Sequence, residues 1–492
     1  MTEQKQHLRA NAISLPGLVF FVVAAVGPIG AVMGATPLVF MQNGSGASGL
    51  YLLAALLFAV FSSGYVAMSR YVGTAGGFAT YIARGFSYKA GGAAAYLTLS
   101  MYVMALAAIY GVFSVFAAQA VQQYAGIEIP WQLFVAVTLP LMGFLSYSRV
   151  ELSTRILGIL LLAEVFVILV LDFAIIIQGG SSGTAHLDFS GFAPQQIFSG
   201  GVGLAYLFAL ASFGGFEATV VFSEETKDPK RTIPAATYWA VALIGGFYAF
   251  TTWAIANGVG TEQIKEAATT DPTGFILKLS DTYVGTAWSH VISILAVTSF
   301  VGVLLGFTNI LSRYIFSMSR VGLLPSFMSY THSRHQSPHR GTVIGSIVVA
   351  LIVACFIAAG ADPFTTLYTY LLALGTVALL SILAAASLAC VFFFRKDARG
   401  ESRWSTTIAP LIAFAGFCVA TVLAVSNFGF LVGSEEGWPL WLWLLLPLFA
   451  LAGYIVATIR GASKVDFKVA ENLTDPSTQE VDVKLYNGGE VA

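Results

Sequence analysis

Long apolar runs recur along the chain from residue 14 to residue 460, separated by short polar stretches. A helix needs roughly 20 apolar residues to cross a bilayer core about 30 Å thick. The pattern predicts twelve such helices, approximately at 14–40, 49–69, 90–122, 131–148, 154–178, 197–222, 236–258, 286–318, 341–360, 364–394, 406–430 and 438–459. The chain is therefore read as an all-α integral membrane protein. Residues 1–13 form a cytosolic N-terminal tail and 14–460 one transmembrane domain. The polar, aperiodic stretch 461–492 is a tail expected to be mobile.

The pattern has an internal symmetry. The first span is interrupted near its middle at Val26-Gly27-Pro28-Ile29-Gly30, and the sixth at Phe213-Gly214-Gly215-Phe216-Glu217. Five spans separate the two breaks, and five is odd, so the second unit enters the membrane from the opposite side. This divides the domain into repeats 14–178 and 197–394, with two extra helices at 406–459. Paired, Gly/Pro-interrupted spans in an inverted repeat are the best sequence pointer to a transporter binding site. Unwound backbone at membrane depth is tolerated only where it lines a cavity or meets a ligand. Glycines elsewhere, such as Gly91, Gly92, Gly245 and Gly246, read instead as close-packing positions between helices.

Charge sets the orientation. Hydrophobic residues make up 57% of the chain and charged ones 10%, too few to cover a soluble surface of this length. With the N-terminus in the cytoplasm, only Lys265 and Lys278 of the 24 basic residues fall outside, a strong positive-inside bias. Both termini are then cytoplasmic, in a plasma membrane of bacterial inner-membrane type. No removable signal peptide is evident, because the polar start runs straight into a segment of spanning length. The outside segment 259–285 mixes charged and apolar residues and is expected to form a helical lid. Cys355, Cys390 and Cys418 all fall in spans and read as small core residues. His332, His335 and His339 cluster in an inside loop among Arg and Ser; they read as a solvated loop rather than a metal site. Asn43-Gly44-Ser45 matches a glycosylation acceptor, a pattern too short to carry weight. No cofactor or nucleic-acid partner is expected.

The stretch Ser223-Glu224-Glu225-Thr226-Lys227-Asp228-Pro229-Lys230-Arg231-Thr232-Ile233-Pro234 resembles the signature of the amino acid–polyamine–organocation permeases. Residues 312–325, ending in Gly322-Leu323-Leu324-Pro325, and residues 66–86 resemble the same family, and the likeness extends over most of 14–400. The resemblance implies a leucine-transporter-like fold with broken helices one and six, and alternating access around a central site. It implies that Gly27, Pro28, Ile29, Gly30, Phe213, Gly214 and Gly215 lie at the substrate, with Phe213 as a gating aromatic. Tyr102 and Phe307 fall where relatives place site residues, and Glu217 aligns with an acidic residue used for proton coupling or amine recognition. Two departures stand out. Many exchangers of the family carry Gly-Ser-Gly at the first break; here Pro28 removes an N–H, a feature shared with some putrescine importers of the family. Several amino acid permeases have a lysine in the fifth span where an ungapped alignment puts Glu164.

Glu164 lies roughly 12 Å into its span, at 1.5 Å per residue. A charge at the bilayer centre costs at least ~2.5–3.5 kcal/mol. Such groups face a cavity, pair with a cation or take up a proton, and the plainer role is a hydrogen-bonded tie between helices. No Lys or Arg is expected at that depth, so the two carboxylates favour a substrate with positive charge. Asp172 is read as interfacial, Arg313 as a snorkelling or carbonyl-bonded anchor, and Asn309 as either a site residue or a helix tie. The resulting expectation is a secondary transporter importing amino acids, organic amines or polyamines with protons. An exchanger is the main alternative and a transporter-like nutrient sensor a weaker one. An enzyme is disfavoured: no intramembrane His-rich metal set, Ser/His/Asp grouping or Walker-type loop is present.

Overall fold

The structure is a computed structural model. It describes residues 13–72, 77–147, 154–183, 187–331, 337–395, 397–432, 436–463, 465 and 467. The tail residues 1–12 and 468–492, together with His332 and His335, lie outside these.

The N-terminal third runs α1 (Leu15–Val26), α2 (Pro28–Gly34), α3 (Thr36–Asn43), α4 (Ala47–Ser69), α5 (Gly77–Gly85), α6 (Tyr88–Ala125), α7 (Trp131–Tyr147) and α8 (Thr154–Ile177). After the short α9 (Pro194–Ile197) come α10 (Val202–Ala211), α11 (Ala218–Val221) and α12 (Pro229–Val259). The chain continues through α13 (Ile264–Thr270), α14 (Phe275–Tyr283), α15 (Thr286–Arg320), α16 (His339–Ala358) and α17 (Thr369–Phe394). It closes with α18 (Ala409–Ser426), α19 (Phe428–Leu431) and α20 (Leu445–Arg460).

Ten helical stretches among the described residues are long and apolar enough to cross a membrane. The two other expected spans are shorter: α7 has 17 residues, and the sixth span is split into α10 and α11. The twelve expected spans thus appear as ten membrane-length stretches and two shorter apolar ones. The expected outer helical segment is present as α13 and α14.

Loop contacts fall into two sets. Ile13 pairs in parallel with Thr226, its N–H donating to Glu225 O at 2.9 Å while Lys227 N–H donates back at 2.8 Å. Tyr71 donates to Arg399 O at 2.8 Å, Arg460 to Gly322 O at 2.6 Å and Ser337 to Tyr147 O at 3.0 Å. At the other end, Gln178 donates to Tyr283 O at 2.7 Å and Asn257 to Asp188 O at 3.0 Å. Asn43, in the glycosylation-like triplet, is buried and donates to the carbonyls of Gln196, Ile197 and Ser199. It serves as a structural tie at that end.

Small residues let helices approach. A Cβ at Gly92 in α6 would sit 2.7 Å from Gly453 O in α20, and one at Gly245 in α12 would collide with Ala55 of α4. Gly91 is similarly crowded by Ala83 and Phe467, whereas Gly246 faces open space and packs against nothing. The cysteine expectation holds for Cys390, which is buried; Cys418 is half-buried, and Cys355 is exposed on α16.

Candidate functional site

The first break is built by local chemistry. Ser14 caps α1, accepting from Gly17 N–H at 3.4 Å. Gly27 ends it at φ 63°, in the left-handed region glycine enters without penalty, with its N–H on Val23 O at 3.2 Å. Pro28 then opens α2, where its missing N–H costs nothing. In the sixth span α10 stops at Ala211, and residues 212–217 turn without forming a helix. Gly215 sits at φ 106°, a conformation reserved in practice for glycine.

The two breaks face one cavity of about 120 Å3. Its wall includes Gly27 and Gly30 from the first break, Gly214, Gly215 and Glu217 from the second, and Phe307 from α15. Ala35, Ile109, Val112, Phe300, Tyr368 and Leu372 extend it towards the Asn43 end of the bundle. Glu217 is 1% exposed. Its Oε1 accepts from the Tyr102 hydroxyl at 3.1 Å and its Oε2 from Gly215 N–H at 3.0 Å. Tyr65 donates to Glu217 O at 3.2 Å, holding the start of α11.

Not every expected residue reaches the cavity. Tyr102 acts from behind Glu217 and packs on Phe307, ring centroids 6.3 Å apart. Pro28 and Ile29 are buried in α2 outside the wall. Phe213 points away: its ring stacks on Phe58 of α4 at 4.8 Å and meets Tyr248 of α12 edge-on. Glu164, 5% exposed, lies behind the first break, not in the cavity. It accepts from Ser299 Oγ of α15 at 2.8 Å and meets the backbone N–H of Ile29.

Three further polar residues have partners that the sequence alone did not name. Asp172, read as interfacial, is fully buried within the protein near the end of α8, accepting from Thr251 of α12 at 2.7 Å. Arg313 donates to one carbonyl, Asn309 O, but its main partner is Glu225, gripped through both carboxylate oxygens with Phe222 beneath the guanidinium. Asn309 ties helices together, accepting from Ser146 of α7 at 2.9 Å. The Tyr102–Glu217 bond was also not foreseen; a tyrosine deep in the long apolar α6 was the signal available. Among the described residues no group of three His, Cys, Asp or Glu side chains is placed to hold a metal; His339 meets the Tyr147 ring edge-on.

A sequence profile of the family described as "Amino acid permease" matches residues 13–451. The chain belongs to the amino acid permease family. The family is one of transporters and not of enzymes, and this permease is a multi-pass integral membrane protein. It is 25% identical over 295 residues to the methylthioribose transporter of Bacillus subtilis, covering 59% of this chain and 58% of that one. It is 27% identical over 200 residues to the branched-chain amino acid permease BcaP of Bacillus subtilis, covering 40% of each. The matches thus span roughly half the length of these relatives. Among solved structures it is similar to a mutant manganese transporter of Eremococcus coleocola, with a TM-score of 0.53 and 14% identity, covering 89% of this chain and 92% of that one. That likeness shows the fold, which is leucine-transporter-like.

Proposed function

We propose that this permease is a proton-coupled secondary transporter that imports amino acids or organic amines by alternating access. The observation that carries the reading is Glu217. It is a buried carboxylate in the wall of a cavity formed by two broken helices, and among the described residues no Lys, Arg or His lines that cavity. An ammonium group entering the cavity finds its counter-charge there. A carboxyl group releases its proton more readily beside a bound ammonium than without one. Exchange of a proton for an amine at one carboxylate is a physical route to coupling.

The architecture we assign has twelve transmembrane helices in two inverted five-helix repeats plus two C-terminal helices, with both termini in the cytoplasm of a bacterial-type inner membrane. The matched positions of the two breaks and the positive-inside bias support it. Glu164 joins the coupling machinery in this reading, because it ties the α2 end of the first break to α15.

The test is uptake of labelled amino acids and amines into proteoliposomes, with and without an inward proton gradient. Gradient-stimulated uptake, reduced about 10- to 100-fold by Glu217→Gln, is expected, the equivalent of one charged hydrogen bond worth ~1.5–3 kcal/mol. Uptake that ignores the gradient and requires substrate inside the vesicle would identify an exchanger instead, leaving Glu164 a structural residue.

A further inference from the structure

The halves of the two broken spans that lie on the Asn43 side, α3 and α10, are tied at both ends. At their far ends Gly201 N–H donates to Gln42 O at 3.1 Å, and Asn43 donates to the carbonyls of Gln196, Ile197 and Ser199. Near the cavity they meet through Tyr51 of α4. Thr36, which opens α3, places its hydroxyl 3.0 Å from that of Tyr51, and Ser212, just past the end of α10, places its own at 3.2 Å. All three residues are buried, and of them only Ser212 reaches the cavity wall.

Each hydroxyl has one proton, which fixes the direction of the chain. Ser212 Oγ gives its proton to Phe208 O at 3.0 Å. In the contact between Tyr51 and Ser212, Tyr51 is therefore the donor. The proton of Tyr51 is then spent, so Thr36 is the donor to Tyr51. The bonds run one way, from Thr36 to Tyr51, on to Ser212 and then to Phe208 O. Ser212 has no proton left for a ligand. Its oxygen accepts from Tyr51 and has capacity for one more bond at the wall. The Tyr51 ring lies tilted against Tyr248 of α12, centroids 5.2 Å apart, which fixes where its hydroxyl points.

We infer that Tyr51 is a positioning residue of this cavity: anchored by Thr36, it aims Ser212 Oγ to accept a hydrogen bond from an N–H or O–H of the substrate. This rests on the reading of the cavity as the substrate site. Without the Tyr51 hydroxyl, both lone pairs of Ser212 are free and nothing selects the one that meets the substrate.

The test is initial uptake rate against concentration in proteoliposomes, which gives KM and maximal rate, with the thermal midpoint measured alongside. The probe is whichever of the standard amino acids and putrescine the natural chain takes up fastest. Tyr51→Phe is expected to raise KM about threefold and Ser212→Ala about three- to tenfold, the size of one neutral hydrogen bond. The double variant should match Ser212→Ala alone, because Tyr51 acts through Ser212. Two results overturn the inference. A Tyr51→Phe chain that melts lower with KM unchanged makes Tyr51 a packing residue only. Effects that multiply in the double variant give Tyr51 a separate route. Should Tyr51→Phe fail to fold, Thr36→Val and Thr36→Ser decide, since Thr36 lies outside the wall. Thr36→Val is expected to raise KM about twofold and Thr36→Ser to leave it unchanged; equal KM values in the two sink the inference. Glu217→Gln separates the underlying reading. If uptake falls in Glu217→Gln while Tyr51→Phe is silent, the cavity stands as the substrate site and only the inference fails. If Glu217→Gln and Ser212→Ala both leave uptake intact, or no probe is taken up, the reading of the cavity falls and takes the inference with it.

Discussion

At the residue scale the site depends on two glycines in different ways. Gly27 is at φ 63°, and a Cβ there would run into the Val303 side chain of α15. Gly215 is at φ 106°, but the nearest atom to its Cβ would be 3.7 Å away. Alanine at Gly215 therefore meets a conformational penalty only, and alanine at Gly27 adds a steric one. A left-handed L-residue costs roughly 1–2 kcal/mol, and an overpacked core contact typically ~1–3 kcal/mol. Gly27→Ala is expected to lower thermal stability more than Gly215→Ala. Val303→Ala in the Gly27→Ala background should recover the steric part and leave the conformational part. Melting curves of the three variants in detergent check this; no recovery on trimming Val303 would show that the break is set by φ alone.

At the element scale the face carrying Ile13 is sealed in layers. Tyr102 packs on Phe307 and Tyr314, Phe21 meets Phe222 at 4.3 Å, and the Arg313–Glu225 pair lies beyond them. Ile13 then pairs with Thr226 across the end. Alternating access requires this seal to part. Removing one partner of a buried ion pair costs ~3–5 kcal/mol, whereas replacing both by apolar groups is often neutral. Arg313→Met and Glu225→Met should each destabilise the chain strongly, and the double variant less than either. A double-mutant cycle on thermal unfolding measures the coupling, and a cycle with no coupling would reduce the pair to two independent surface charges.

What the sequence could and could not say follows from the same elements. Both breaks were legible, because Gly27-Pro28 and Gly214-Gly215 interrupt apolar runs that have no other reason to contain them. Glu217 was legible for the same reason. Phe213 was not: once the helix stops at Ala211 the 3.6-residue period no longer says where a side chain points, and the ring turns to Phe58. The burial of Asp172 was not legible, because it comes from packing against α12, which the pattern of one run does not report. Arg313 was half legible, since its distance from the membrane end suggested an anchor but not the partner 88 residues away in sequence.

At the scale of the whole molecule, the loop contacts constrain topology even before orientation is known. Ile13, Tyr71, Tyr147, Gly322, Arg399 and Arg460 meet partners only from within one set, and Asn43, Gln178, Asp188, Asn257 and Tyr283 only from within the other, among the bonds described above. Bonded loops share a side, so an even number of crossings must separate Ile13 from Lys227, Tyr71 from Arg399 and Gly322 from Arg460. The basic residues then decide which set is cytoplasmic. Lys265 and Lys278 stand alone on the α13–α14 side, so that side is expected to face outward. With Cys355, Cys390 and Cys418 replaced by alanine, single cysteines at Glu266 and at Glu401 report on the two sides. In intact cells a membrane-impermeant maleimide should label the Glu266→Cys chain and reach the Glu401→Cys chain only after lysis. Labelling in the reverse order would invert the protein in the membrane. The cavity, which extends towards the Asn43 end, would then open to the cytoplasm, and the Arg313–Glu225 seal would guard the outside.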